Sequence, residues 1–207
     1  MKNVIVFSLI LVMKVINAQD PYTKGMEKAF QLWGESKTIE AANLFERIAT
    51  AELDNWLPYY YAAQINTINA FGEQDKVKLR QHLDKAQELL DLAKSITPDH
   101  PEVLVQQAMI HTAWIASDGA SYGPTLSGKV IALYQKALQI APDNPRVIFS
   151  KAEWDMGSAR YFGQDTAPYC EAVERSLDLF ANFKPESDFH PNWGKERAEQ
   201  VAASCKE

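Results

Sequence analysis

Apolar side chains recur at three- and four-residue intervals along nearly the whole chain, which is the spacing that lines one face of a helix. Two-residue alternation, the mark of a half-buried strand, is almost missing. The first residues break the pattern. Met1-Lys2-Asn3 is a short basic start, Val4 to Met13 is apolar apart from Ser8, and Ile16-Asn17-Ala18 ends on a small residue. That layout predicts a secretory signal peptide over residues 1–18, cleaved after Ala18. The run is too short for a spanning helix, which needs about 20 apolar residues. Position 19 is Gln, so the acylated Cys of a lipid anchor is missing.

Beyond residue 18 the helical pattern repeats. Ala86, Leu90, Ala93, Ile96, Pro98, Asp99 and Pro101 are matched in order by Val130, Tyr134, Ala137, Ile140, Pro142, Asp143 and Pro145. The register continues through Val103/Val147, Leu104/Ile148 and Ala108/Ala152, always 44 residues apart. A fixed period of this size marks a solenoid. Small, large and small residues at these spacings let a neighbouring helix pack closely. Pro-Asp-x-Pro then ends one helix, because proline lacks the N–H and restricts the residue before it. The second proline suits the first turn of the next helix.

Ala137-Leu138-Gln139-Ile140-Ala141-Pro142-Asp143-Asn144-Pro145 resembles the second helix of a tetratricopeptide repeat (TPR) and its exit turn. Ala29, Leu32, Ala41, Phe45 and Ile48 resemble another copy, Tyr59-x-x-Ala62-Ala63 the first helix of the next, and residues 145–183 a weaker fourth. Small exported bacterial TPR proteins are similar near the end of the chain, with a Pro-Asn-Trp-Gly-Lys segment and a late Cys. The resemblance implies an all-α, right-handed superhelical TPR-like solenoid of about four helix pairs with a C-terminal capping helix. The repeat domain would span 19–189, with the cap over 190–207, where Trp193, Ala198, Val201 and Ala202 could cover the last repeat. The period exceeds the usual 34 residues. The extra residues lengthen Asp75–Ile96 and form turns around Phe71-Gly72, Ser117–Gly128 and Gly163–Thr166, all expected at one end of the solenoid.

By TPR register the first helices line a concave groove. The groove candidates are Phe30, Trp33, Tyr60, Gln64, Thr67, Val105, Met109, Thr112, Arg146, Phe149 and Glu153, each equally readable as core between helices. Asp118, Ser121, Tyr122, Tyr161, Phe162 and Asp165 are candidates for a loop rim beside it. Such a surface suits a protein or peptide partner, and the chain reads as a non-catalytic scaffold. The alternative is a small-molecule module serving a solute transporter, which would need a more enclosed pocket with convergent polar groups.

Charge and chemistry narrow this further. The formal charge is −6, and losing Lys2 and Lys14 makes it −8, which works against nucleic acid and anionic membranes. No second long apolar segment exists, so no membrane insertion is expected after cleavage, and the protein should be periplasmic or secreted. Cys170 and Cys205 can bridge in an oxidising compartment or remain two packed thiols. Gly119-Ala120-Ser121-Tyr122-Gly123 matches GxSxG, which works only on a strand-to-helix turn that this chain lacks. His82, His100, His111 and His190 show no ligand spacing. No metal and no cofactor are expected.

Overall fold

The computed structural model describes residues 20–206. The predicted signal peptide and its cleavage site lie outside the described residues. Among these, all regular structure is helical: α1 (Pro21–Gly34), α2 (Thr38–Ala51), α3 (Trp56–Ala70), α4 (Lys76–Ile96), α5 (Pro101–Ser117), α6 (Gly119–Ile140), α7 (Pro145–Tyr161), α8 (Cys170–Asn182) and α9 (Lys195–Ser204), with a 3-10 turn at Ala167–Tyr169. Each helix packs on its neighbours in the chain, and α5 also touches α3 and α7. Four pairs therefore stack into a TPR-like solenoid, with α3, α5 and α7 as its inner layer and α9 as the cap.

The repeated string does what its spacing predicts. Ala86, Leu90 and Ala93 on α4, and Val130, Tyr134 and Ala137 on α6, are all buried. Pro101 and Pro145 open α5 and α7. Between them Asn144 accepts from the backbone N–H of Arg146 at 2.9 Å, and the Nδ1 of His100 accepts from that of Glu102 at 3.3 Å. Side-chain acceptors of this kind satisfy the orphan donors of a first turn. Asp99 takes a positive φ of 63° in the turn, a conformation Asp tolerates better than most side chains.

Two expectations need correction. Ser117–Gly128 is not a loop: Asp118 accepts from the Ser121 N–H and hydroxyl at 3.1 and 2.7 Å, and this cap starts α6 at Gly119. Trp193 does not join the capping face. It packs against the cluster that includes Leu104, Val105 and Val147 and donates from Nε1 to the Tyr60 hydroxyl at 2.8 Å.

That displacement reflects the main departure from a plain solenoid. After α8 the chain runs back as a non-helical segment, 183–194, across the inner layer before α9 begins. Gly194 ends it with φ +104°, and a Cβ there would meet the Phe180 ring at 3.0 Å. On α3 every residue from Leu57 to Thr67 is buried: α2, α4 and α5 pack around the helix, and the returning segment covers Tyr60 and Tyr61. Ala198, Val201 and Ala202 of α9 do pack with Phe149, Met156, Val173 and Phe180. A Cys170–Cys205 disulfide ties α8 to the end of α9.

Candidate functional site: an aromatic cleft beside an inlaid segment

The inlaid segment is held by specific bonds. The Tyr61 hydroxyl donates to the Phe189 carbonyl at 2.8 Å. The Phe189 ring lies parallel to Phe30 at 6.1 Å and edge-on to Tyr22 at 5.6 Å. Burial raises the pKa of both the Tyr60 and Tyr61 phenols, so they stay protonated and able to donate. With the segment in place, the groove expected from the sequence is filled rather than open. Tyr60, Gln64, Thr67, Val105, Arg146 and Phe149 are buried, while Phe30, Trp33, Met109, Thr112 and Glu153 are partly covered. Thr67 accepts from Gln106 Nε2 at 2.8 Å and Glu153 accepts from Arg197 at 2.7 Å.

What remains beside the segment is a cleft of about 500 Å³. Phe30, Trp33, Tyr61, Phe189 and Trp193 supply its aromatic walls, and Glu27, Gln64, Asp188, His190 and Asn192 its polar groups. The lining joins α1 and α3 to the returning segment. Of the groove residues named from sequence, Phe30, Trp33 and Gln64 line this cleft. Asp188, Phe189, His190, Asn192 and Trp193 were not assigned to it because only the chain reversal brings them there.

Beneath it lies a buried ion pair. Arg146 donates from Nε to both Glu102 oxygens at 2.9 Å and from Nη2 to Oε1 at 2.7 Å, and Asn144 adds a 2.7 Å bond. Both side chains are fully buried, and the guanidinium carbon sits 4.3 Å from the Phe183 ring centroid. Next to the pair, His100, His190 and Glu186 converge, each offering a ligand atom within 4.8 Å of the others. Burial lowers the pKa of both imidazoles, partly offset by Glu102, favouring the neutral form. The sequence showed no ligand spacing because these residues sit on α5's N-terminal turn and the returning segment.

Of the rim residues, Asp118 and Tyr122 lie together beside the turn that follows α3. Phe71, Lys76, Arg80, Trp114, Asp118 and Tyr122 border a second hollow of about 480 Å³. Tyr161 approaches Gly119, and Tyr161 and Phe162 are 72% and 68% exposed. Asp165 caps the Ala167 N–H at 2.9 Å, so its carboxylate serves the turn. Ser121 is bonded to Asp118, with no histidine among its hydrogen-bond partners.

No protein-family model matches the chain, and no curated protein matches it. Among solved structures it is similar to the HusA haemophore from Porphyromonas gingivalis, with a TM-score of 0.78 and 24% identity, covering 89% of this chain and 92% of that one. It also matches TTC0263, a thermophilic TPR protein from Thermus thermophilus, at a TM-score of 0.44 and 13% identity over 89% and 98%. The first match shows a shared fold over almost the full length of both chains.

Proposed function

We propose that the protein is an exported, non-catalytic binding module whose ligand is a small planar aromatic molecule seated in the cleft between α1, α3 and the returning segment. The observation that carries this is the cleft itself: about 500 Å³ with five aromatic walls and a few convergent polar groups. Small-molecule sites have this size and lining. Residues 183–194 lie across the part of the groove around Tyr60 and Tyr61, which favours the small-molecule alternative even though the cleft opens widely to solvent. A tetrapyrrole is the first ligand to consider, being flat and largely apolar, and the structurally similar HusA is a haemophore. The cleft has no Lys or Arg among its lining residues, so the carboxylates of such a ligand would point to solvent.

Hemin titrated into the purified protein should quench tryptophan fluorescence saturably, and Trp33→Ala or Phe189→Ala should weaken binding at least tenfold. Absence of saturable quenching would discard the tetrapyrrole; saturation unchanged by both substitutions would discard the cleft. A second reading, a protein partner on the rim, is supported by the exposed Tyr161–Phe162 pair, whose rings meet edge to face at 5.1 Å. A Tyr161→Ala, Phe162→Ala double variant that captures the same proteins from native envelope as wild type would count against it.

A further inference from the structure

We propose that His100, His190 and Glu186 hold one divalent transition-metal ion of the Zn²⁺ class, clasping the start of α5 to the returning segment. The site borders the cleft through His190, but the proposal does not rest on what the cleft binds. Two imidazoles and a carboxylate are a common donor set for Zn²⁺, which completes its tetrahedron with water.

The geometry supports each role. The Nδ1 of His190 faces Glu186 Oε2 at 3.7 Å, while its Nε2 faces buried Glu102 at 4.0 Å. A ligating histidine usually directs its second nitrogen at a carboxylate, which orients the ring and raises its basicity. Glu102 fits that outer position because Arg146 and Asn144 already occupy its oxygens. Arg146 and Glu102 cancel in charge, leaving Glu186 as the net charge of the cluster, so a cation is not repelled. With Zn–N bonds of about 2.0–2.1 Å, neighbouring ligand atoms sit roughly 3.3 Å apart. The ligand atoms, which lie within 4.8 Å of one another, must therefore draw closer, and exposed Glu186 has the freedom to move inward. The Trp56 ring, 4.4 Å from that of His100, screens one side of the cluster.

Binding has a specific consequence at His100. Its Nδ1 now accepts a long 3.3 Å bond from the Glu102 N–H. Ligation through Nε2 would place the ring proton on Nδ1, so that bond would be given up. The tautomer switch separates ligation from loose association.

The test uses protein expressed from the full-length gene without a histidine tag, stripped with chelator and titrated with Zn²⁺ against a competing dye. One equivalent should bind per chain with submicromolar affinity, and ¹⁵N spectra should show His100 Nδ1 gaining its proton. Glu186→Gln, an exposed isosteric change, should weaken binding at least tenfold. His100→Asn, which keeps a capping acceptor, should weaken it at least a hundredfold, with circular dichroism confirming that both variants fold. Failure to bind one equivalent, wild-type affinity in both variants, or a His100 ring unchanged by Zn²⁺ would each overturn the proposal.

Discussion

Glu102 and Arg146 stand at equivalent positions of successive repeats, 44 residues apart. Each repeat thus sends one charge to the same buried point. Leaving either charge without its partner in a dry interior costs about 3–5 kcal/mol, whereas replacing both with apolar residues costs far less. Arg146→Met should lower the urea midpoint sharply, and Glu102→Met combined with Arg146→Met should recover most of the loss. His111 offers a second residue-level prediction. Burial is the main cause of its lowered pKa, with Lys129 adding to it. The unfolded chain, titrating near 6.5, then binds more protons than the folded one below that pH. Stability should therefore rise with pH from the lowered folded value up to about 6.5 and level off above it. His111→Gln should remove its own share of that slope in denaturation measured across pH, leaving the part that His100 and His190 contribute. At this scale the sequence was least informative. Apolar spacing located Tyr60, Gln64 and Phe149 on inner helices, but whether such faces meet solvent or another segment depends on contacts between residues more than a hundred positions apart.

Elements were far more legible, because helices are set by nearest-neighbour chemistry. Pro98-Asp99-His100-Pro101 and its copy end and restart helices wherever they occur, and the buried triplets of α4 and α6 follow from spacing alone. The miss at Ser117–Gly128 has a local cause: glycines, a proline and serines read as a turn, yet the Asp118 cap starts a helix through them. The disulfide was open from sequence because bridging depends on how α8 and α9 approach. With its cysteines 35 positions apart, loop-closure entropy assigns it a stabilisation of about 4 kcal/mol. Reduction, or Cys170→Ala with Cys205→Ala, should lower stability by about that amount in denaturant titrations while leaving far-UV helicity intact. A loss under about 1 kcal/mol, far below the loop-closure figure, would mean that the packing of Ala198, Val201 and Ala202 and the Arg197–Glu153 bond hold α9 without the disulfide.

In a linear solenoid each repeat senses only its neighbours, so damage at one end should stay there. Here the returning segment crosses the inner layer and bonds to α3, linking the last repeat to the first two. Phe189 sits against Tyr22 and Phe30, near the opposite end of the chain. Combining Phe189→Ala with Trp193→Ala removes two large rings and the bond to Tyr60; truncations of this size cost about 3–5 kcal/mol each at fully buried sites, and less for these half-buried rings. The location of the damage is more diagnostic than its size. Native-state hydrogen exchange should show faster opening in α1 and α3, although both mutated residues follow α8 in sequence. If protection falls only in α7, α8 and α9, the segment is a passive cover. Loss in α1 and α3 would instead mean that the aromatic cleft is shaped by the same strap that closes the molecule, so ligand affinity and global stability should fall together in this variant.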